Sequence, residues 1–125
     1  MYVVIVAFDL RDSSIGFDEL RAWVRDKAAQ DYAEMPGVRM KTWFSDERKR
    51  VWGAVYVVDN ADVFDPANVP LLPNGRTGPV GTRPTSVMWL ELEAFVAGPD
   101  GLPGIDALTT AGLALTTPPL APRCS

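Results

Sequence analysis

The residues best suited to chemistry in this 125-residue chain are basic and aromatic side chains on strand-like segments. Cations beside aromatic rings suit stacking and cation–π contact with a flat, acidic or phenolic molecule. The pattern therefore predicts a binding site for a small aromatic ligand. Its candidate residues are Arg39, Trp43, Trp52, Tyr56 and Trp89.

Two further residues are candidates for catalysis. Lys41 lies between Arg39 and Trp43, and an amine there would stabilise a substrate anion; removal from water would lower its pKa. The alternative is an ordinary cross-strand salt bridge to the acidic residues Glu91 and Glu93. Asp9 ends the first strand and suits a general base, with turn capping as the alternative.

The aromatic residues have a structural interpretation as well. Tryptophans on one side of a sheet fill a subunit interface as readily as they line a pocket, because interfaces are enriched in aromatic side chains. A buried tyrosine such as Tyr56 needs only one hydrogen-bond partner of any kind. Both interpretations remain open from sequence.

Composition excludes several classes of site. The chain has no histidine and one cysteine, Cys124, so His-based triads and most zinc or non-haem iron sites are excluded, and no cofactor is expected. A net charge of −4 predicts no nucleic-acid partner. The N-terminus lacks the pattern of a signal peptide, and no apolar run has the length of a membrane span. A soluble, cytoplasmic protein without membrane contact is expected.

The order of elements predicts the fold. Residues 2–8 predict a strand buried on both faces, and Phe17 to Met35 predict one amphipathic helix that stops at Pro36-Gly37. Two strands, Val38 to Phe44 and Val51 to Val58, predict a hairpin. A short helical turn at residues 61–65 and a strand from Val87 to Val96 complete the set.

The second half of the chain is richer in proline and glycine. From Pro66 to Pro84, eight of nineteen positions are proline or glycine, which excludes a long helix. The prediction is an α+β ferredoxin-like plait with an antiparallel sheet over residues 1–96, its second helix largely replaced by this loop. Residues 97–125 are predicted to form a C-terminal tail with a short helix at residues 105–115.

The helix can cover only one face of such a sheet. Small and aliphatic side chains suit packing under a helix, and these are Val38, Met40, Thr42, Gly53, Val55, Val57, Met88, Leu90 and Leu92. The other face would then carry the aromatic, basic and acidic side chains, which are Arg39, Lys41, Trp43, Trp52, Tyr56, Trp89, Glu91 and Glu93. Monomeric proteins rarely expose an aromatic face of that size, so we expect a second subunit, the apolar tail or a ligand to cover it.

The segment from Pro36 to Trp43, the charged connection after it and the segment from Gly53 to Asp59 resemble the YdhR-like family. That family belongs to the dimeric α+β barrel group. The resemblance covers residues 1–60 and returns near residues 87–96. It implies a homodimer whose two sheets face each other.

The same resemblance implies a cofactor-independent monooxygenase for an aromatic or polyketide-like molecule. In that chemistry the substrate anion itself gives the electron to O₂, and the protein supplies a cavity, a proton acceptor and groups that favour the anion. The alternatives are a dimer that binds a small aromatic ligand without chemistry, and a purely structural oligomerisation domain.

Overall fold

A computed structural model describes residues 1–65 and 84–101. The strands are β1 (Tyr2–Asp9), β2 (Val38–Asp46), β3 (Val51–Val58) and β4 (Ser86–Glu91), and the helical segments are α1 (Phe17–Trp23) and α2 (Ala29–Ala33). A π-helical turn, Val24–Ala28, joins α1 to α2, and a 3₁₀ turn, Ala61–Phe64, follows β3.

The four strands form one antiparallel sheet in the order β2-β3-β1-β4. This order is compatible with the predicted ferredoxin-like α+β fold. The predicted hairpin is confirmed, and so is the helical turn after β3. The last strand is shorter than predicted, because its ladder with β1 ends at Glu91. The predicted loop at 66–84 lies outside the described residues except for Pro84, and so do the predicted helix at 105–115 and most of the tail.

The predicted single helix is confirmed in position, but its middle is wound more widely. The π-helical turn separates α1 from α2, and the helix ends at Ala33 rather than Met35. The predicted stop is confirmed at Gly37, whose φ of 88° lies in the left-handed region that glycine adopts without strain.

The hairpin tip is attached to the loop that precedes α1. Arg50 takes a left-handed backbone conformation, with φ of 58°. Its guanidinium donates hydrogen bonds to the carbonyl oxygens of Ser13 and Ile15 and lies 5.0 Å from the centre of the Phe17 ring. These contacts fix the start of α1 against the sheet.

The prediction of which sheet face the helix covers was wrong. The large side chains lie under the helix, on what we call the covered face, in one hydrophobic core with the helix residues Leu20, Ala28 and Ala29. The covered face carries Val4, Val6, Lys41, Trp43, Trp52, Ala54, Tyr56 and Val58. The helix residues in this core include Ala28 and Ala29 as well as larger side chains, and the rings of the sheet fill the space that the alanines leave.

The opposite side of the sheet, the open face, is almost entirely aliphatic. It carries Val3, Ile5, Ala7, Met40, Thr42, Phe44, Gly53, Val55, Val57, Met88 and Leu90. Met88 is 54% exposed and Leu90 is 44% exposed. The expectation that β1 is buried on both faces is therefore wrong, because Val3 and Ile5 on the open face are only half-buried.

A β-bulge explains one further difference from the predicted faces. Val38 pairs with Val58 and Met40 with Val57, so Arg39 is the extra residue of β2. The bulge separates Val38, which packs against the core, from Met40 and Thr42 on the open face. The predicted alternation had placed all three on one side.

Gly53 provides a stability test of the open face. A Cβ atom at this position would collide with the Phe44 ring and with the Val6 carbonyl oxygen, and the backbone oxygen has little freedom to move. We expect Gly53→Ala to lower the free energy of unfolding in urea by about 1–3 kcal/mol. Gly98→Ala is the matched control, because nothing lies within 4 Å of its added Cβ. Equal stability of the two variants would contradict this close packing.

Candidate functional site

Lys41 lies on the covered face, opposite Tyr56 in the β2–β3 ladder. Its Nζ is 3.3 Å from the ring centre of Tyr32, 4.2 Å from that of Tyr56 and 4.4 Å from that of Trp43. All three distances lie within the usual range for cation–π contact. We call Tyr32, Lys41, Trp43 and Tyr56 the lysine cage.

The amine of Lys41 has no ionic partner among residues 1–65 and 84–101. The predicted salt bridge to Glu91 or Glu93 is absent there, and no described group accepts a hydrogen bond from Nζ. In the same part of the chain, no side-chain nitrogen or oxygen is both fully buried and without a hydrogen-bond partner. Because Nζ has no such partner, it is not fully buried and part of its surface is exposed.

Burial among the rings holds the pKa of Lys41 well below its ordinary value of 10.5, because the ammonium loses its hydration. The ring faces favour the charged form, but each contributes only about 0.5–2 kcal/mol. Lys41 as a whole is half-buried, and its amine is the part that lies among the rings. A larger share of Lys41 is an uncharged amine at neutral pH than for an exposed lysine.

The two tyrosines of the cage remain protonated. Burial raises the pKa of Tyr32 and, more strongly, that of Tyr56. A hydrogen bond between the two phenol groups adds to the rise at Tyr56 and opposes the rise at Tyr32. In that bond the Tyr56 hydroxyl donates and the Tyr32 oxygen accepts, so the Tyr32 hydroxyl is the one that can donate a hydrogen bond to an anion.

A cleft of about 240 Å³ opens between α2 and β2 beside the cage. Its walls are Ala29, Tyr32, Ala33, Val38, Arg39, Met40, Lys41 and Trp43. The π-helical turn immediately precedes this wall, and a wide turn changes the direction in which the following residues point. It therefore sets which side chains of α2 meet the cleft.

The cage continues into a row of rings that crosses the sheet. Neighbouring rings meet edge to face with centres 4.8–5.9 Å apart. The row runs Trp43, Tyr32, Tyr56, Phe64, Trp89, Tyr2. Contacts of this kind contribute about 0.5–1.5 kcal/mol per pair beyond area burial. The row holds the cage rings in fixed orientations.

The structure brings together three of the predicted site residues, Lys41, Trp43 and Tyr56. Arg39 lines the same cleft, but its guanidinium is exposed and pairs with Asp59 at 2.8 Å, and that carboxylate raises the pKa of Arg39. Trp89 reaches the cage only through the row of rings.

Two predicted residues lie elsewhere. Trp52 packs edge to face on Phe17 with ring centres 6.0 Å apart, about 13 Å along β3 from Tyr56. Asp9 lies about 17 Å along β1 from the level of the cage, on the side of the open face. Arg11 binds its carboxylate at 2.7 Å and, through that hydrogen bond, lowers the pKa of Asp9.

Tyr32 is the cage residue that sequence reasoning did not select. In the structure Tyr32 is 7% exposed and its ring contacts the Lys41 amine directly. Its spacing of four residues from the buried Ala28 was the available signal, because residues four apart share a helix face.

The cage predicts a dependence of stability on pH. Between the folded pKa of Lys41 and 10.5, the unfolded chain binds a proton that the folded chain lacks, so the free energy of unfolding should rise with pH. Above 10.0 the opposite holds, because Tyr32 and Tyr56 keep protons that the unfolded chain loses. Urea unfolding from about pH 7 to about pH 10 measures the rise. Lys41→Met should flatten it, and an unchanged slope in that variant would contradict the assignment.

Within residues 1–65 and 84–101, His, Cys, Asp and Glu side chains do not gather in groups of three that would hold a metal ion. No helix in that part of the chain is long and apolar enough to cross a bilayer. No protein-family model matches the chain, and no curated protein matches it.

Proposed function

We propose that the protein is a cofactor-independent monooxygenase for a small aromatic molecule with an acidic phenol, enol or activated CH group. The observation that supports this proposal is Lys41, which lines the cleft and whose amine lies among three ring faces with no described ionic partner. An amine in that state accepts a proton from a weak acid in the cleft and then pairs with the anion that it has created.

The remaining cage residues supply binding and orientation. The indole of Trp43 offers an apolar surface for a flat substrate, and the Tyr32 hydroxyl offers a hydrogen bond to its oxygen. Because the pKa of Tyr32 is raised, this hydroxyl remains a donor when the substrate becomes an anion. Hydrogen-bond donors that face a developing anion in a dry site lower the barrier to its formation.

The reaction balances without a further reductant. Lys41 removes a proton from a CH₂ group between aromatic rings, and the carbanion or enolate transfers electrons to O₂ and forms a C–O bond. One oxygen atom of the hydroperoxide leaves as water as the second C–H proton is lost, and the other stays as a carbonyl. The substrate supplies all four electrons, so CH₂ and O₂ become C=O and H₂O.

We propose a homodimer for the same protein, with the two open faces packed against each other. The argument is that the middle of the open face is uncharged, with Asp9 and Asp46 only at its strand ends, and that the aliphatic residues Met88 and Leu90 are exposed there, so a second copy is chemically matched to it. The family resemblance implies a homodimer whose two sheets face each other. The described cleft lies within one chain, between helix and sheet, so the site and the dimer can be tested separately.

Oxygen consumption tests the function. With anthrone as the probe, we expect O₂ uptake in an oxygen electrode, one carbonyl product per O₂ and saturable quenching of tryptophan fluorescence. Quenching without O₂ uptake would identify a binding protein instead of an enzyme. The absence of both responses, with anthrone and with 1-naphthol, would contradict a ligand site in the cleft.

A further inference from the structure

We propose that Lys41 is also a nucleophile, which condenses with an aromatic aldehyde or ketone that enters the cleft to form an imine. Three features of the site support this activity: Lys41 lines a cleft, its amine lies within 4.4 Å of the centres of three rings, and no carboxylate in the described chain pairs with it. Each of these features favours imine formation. The nitrogen lone pair must be free and the carbonyl compound must reach it, and a site with little water favours the imine over its hydrolysis.

Lys41 differs in these respects from the other lysines. The chain has only three, Lys27, Lys41 and Lys49. Lys27 is exposed and forms an ion pair with Asp31 at 2.8 Å, and Lys49 is exposed at the hairpin tip. The chain therefore contains its own matched controls for amine reactivity.

The step is balanced in atoms and electrons. The lone pair of Nζ attacks the carbonyl carbon, and the C=O π electrons move to oxygen, which takes a proton. The resulting carbinolamine loses that oxygen as water together with the second N–H proton, which leaves a C=N bond and no change in oxidation level. Tyr32, whose ring face contacts the amine, has a neutral hydroxyl that can donate the proton to oxygen.

Trapping with cyanoborohydride tests the inference on the wild-type chain. Benzaldehyde and cyanoborohydride at neutral pH should convert the imine to a stable benzylamine, located by peptide mass spectrometry. We expect labelling of Lys41 at least about tenfold faster than that of Lys27 or Lys49, since each unit of lowered pKa raises the free amine about tenfold. Acetaldehyde should label Lys41 more slowly than benzaldehyde, because it cannot stack on the rings.

Labelling confined to the exposed lysines and the N-terminus would overturn the inference, and so would equal rates at all three lysines. Equal rates with acetaldehyde and benzaldehyde would overturn the aromatic preference. In Lys41→Met the fast label should disappear, whereas Lys49→Met should keep it. The labelling does not require O₂, so imine formation can be detected even if the protein consumes no oxygen. Oxygen uptake can likewise be detected even if Lys41 is not labelled.

Discussion

Lys41→Met is expected to lower O₂ turnover with an aromatic substrate by at least about 100-fold, the usual contribution of a positioned proton acceptor. The variant keeps the length and apolar stem of lysine but has no amine, so the substrate anion loses both its proton acceptor and its counter-charge. Folding should survive, because methionine adapts to irregular cavities and needs no hydration among the three rings. The measurement is kcat and KM from initial rates in the oxygen electrode.

Two further variants separate the possible roles of this lysine. Lys41→Arg keeps a positive charge but stays protonated, so it should be as inactive as Lys41→Met if proton acceptance is the role. Recovery of activity in Lys41→Arg would show that charge alone matters. Lys49→Met, at an exposed position on the hairpin tip, is the matched control and should keep wild-type rates. Wild-type turnover in Lys41→Met would contradict the proposed site.

Met88→Glu is expected to convert the proposed homodimer to a monomer. Met88 lies on the open face and is 54% exposed in the single chain, so a carboxylate there disturbs the free subunit little. In a two-fold dimer the substitution enters the apolar interface twice, and each buried, unpaired carboxylate costs several kcal/mol. We expect the dimer dissociation constant to rise at least about 100-fold.

Light scattering after size exclusion measures this change as a fall in molecular mass from about twice 13.6 kDa to the 13.6 kDa of one chain. Val87→Glu is the control, because Val87 is the next residue of β4, is 49% exposed and points to the other face of the sheet. If the wild-type protein is itself a monomer, the homodimer proposal is wrong. If Val87→Glu dissociates the dimer as strongly as Met88→Glu, the open face is not the interface.

The local structure of the first half of the chain could be predicted because it depends on local patterns. Pro36-Gly37 ended the helix, since glycine alone adopts the required φ without strain. Alternation and β-branched residues indicated β2 and β3, and the short charged connection between them indicated a hairpin. The π-helical turn and the bulge at Arg39 were not predicted. Each inserts an extra residue into a regular element, and the spacing of apolar residues does not indicate where such an insertion occurs.

The candidate site was predicted in part. Lys41, Trp43 and Tyr56 were grouped correctly because side chains that alternate along paired strands share a face. Trp52 was grouped with them by the same alternation and does lie on the covered face, whereas Asp9 was selected as an acid at a strand end. The structure separates both residues from the cage along their strands. Tyr32 comes from the helix, and its contact with Lys41 depends on how the helix lies across the sheet.

Local patterns are enough to predict the strand and helix segments, the hairpin, and one aromatic and one aliphatic face of the sheet. Which face is covered depends on tertiary packing, because a two-residue alternation is the same whichever side turns inward. In the structure the rings of the sheet share one core with the helix, where Ala28 and Ala29 leave room for them. The same packing removes water from Lys41, which turns an ordinary strand lysine into a candidate reactive amine.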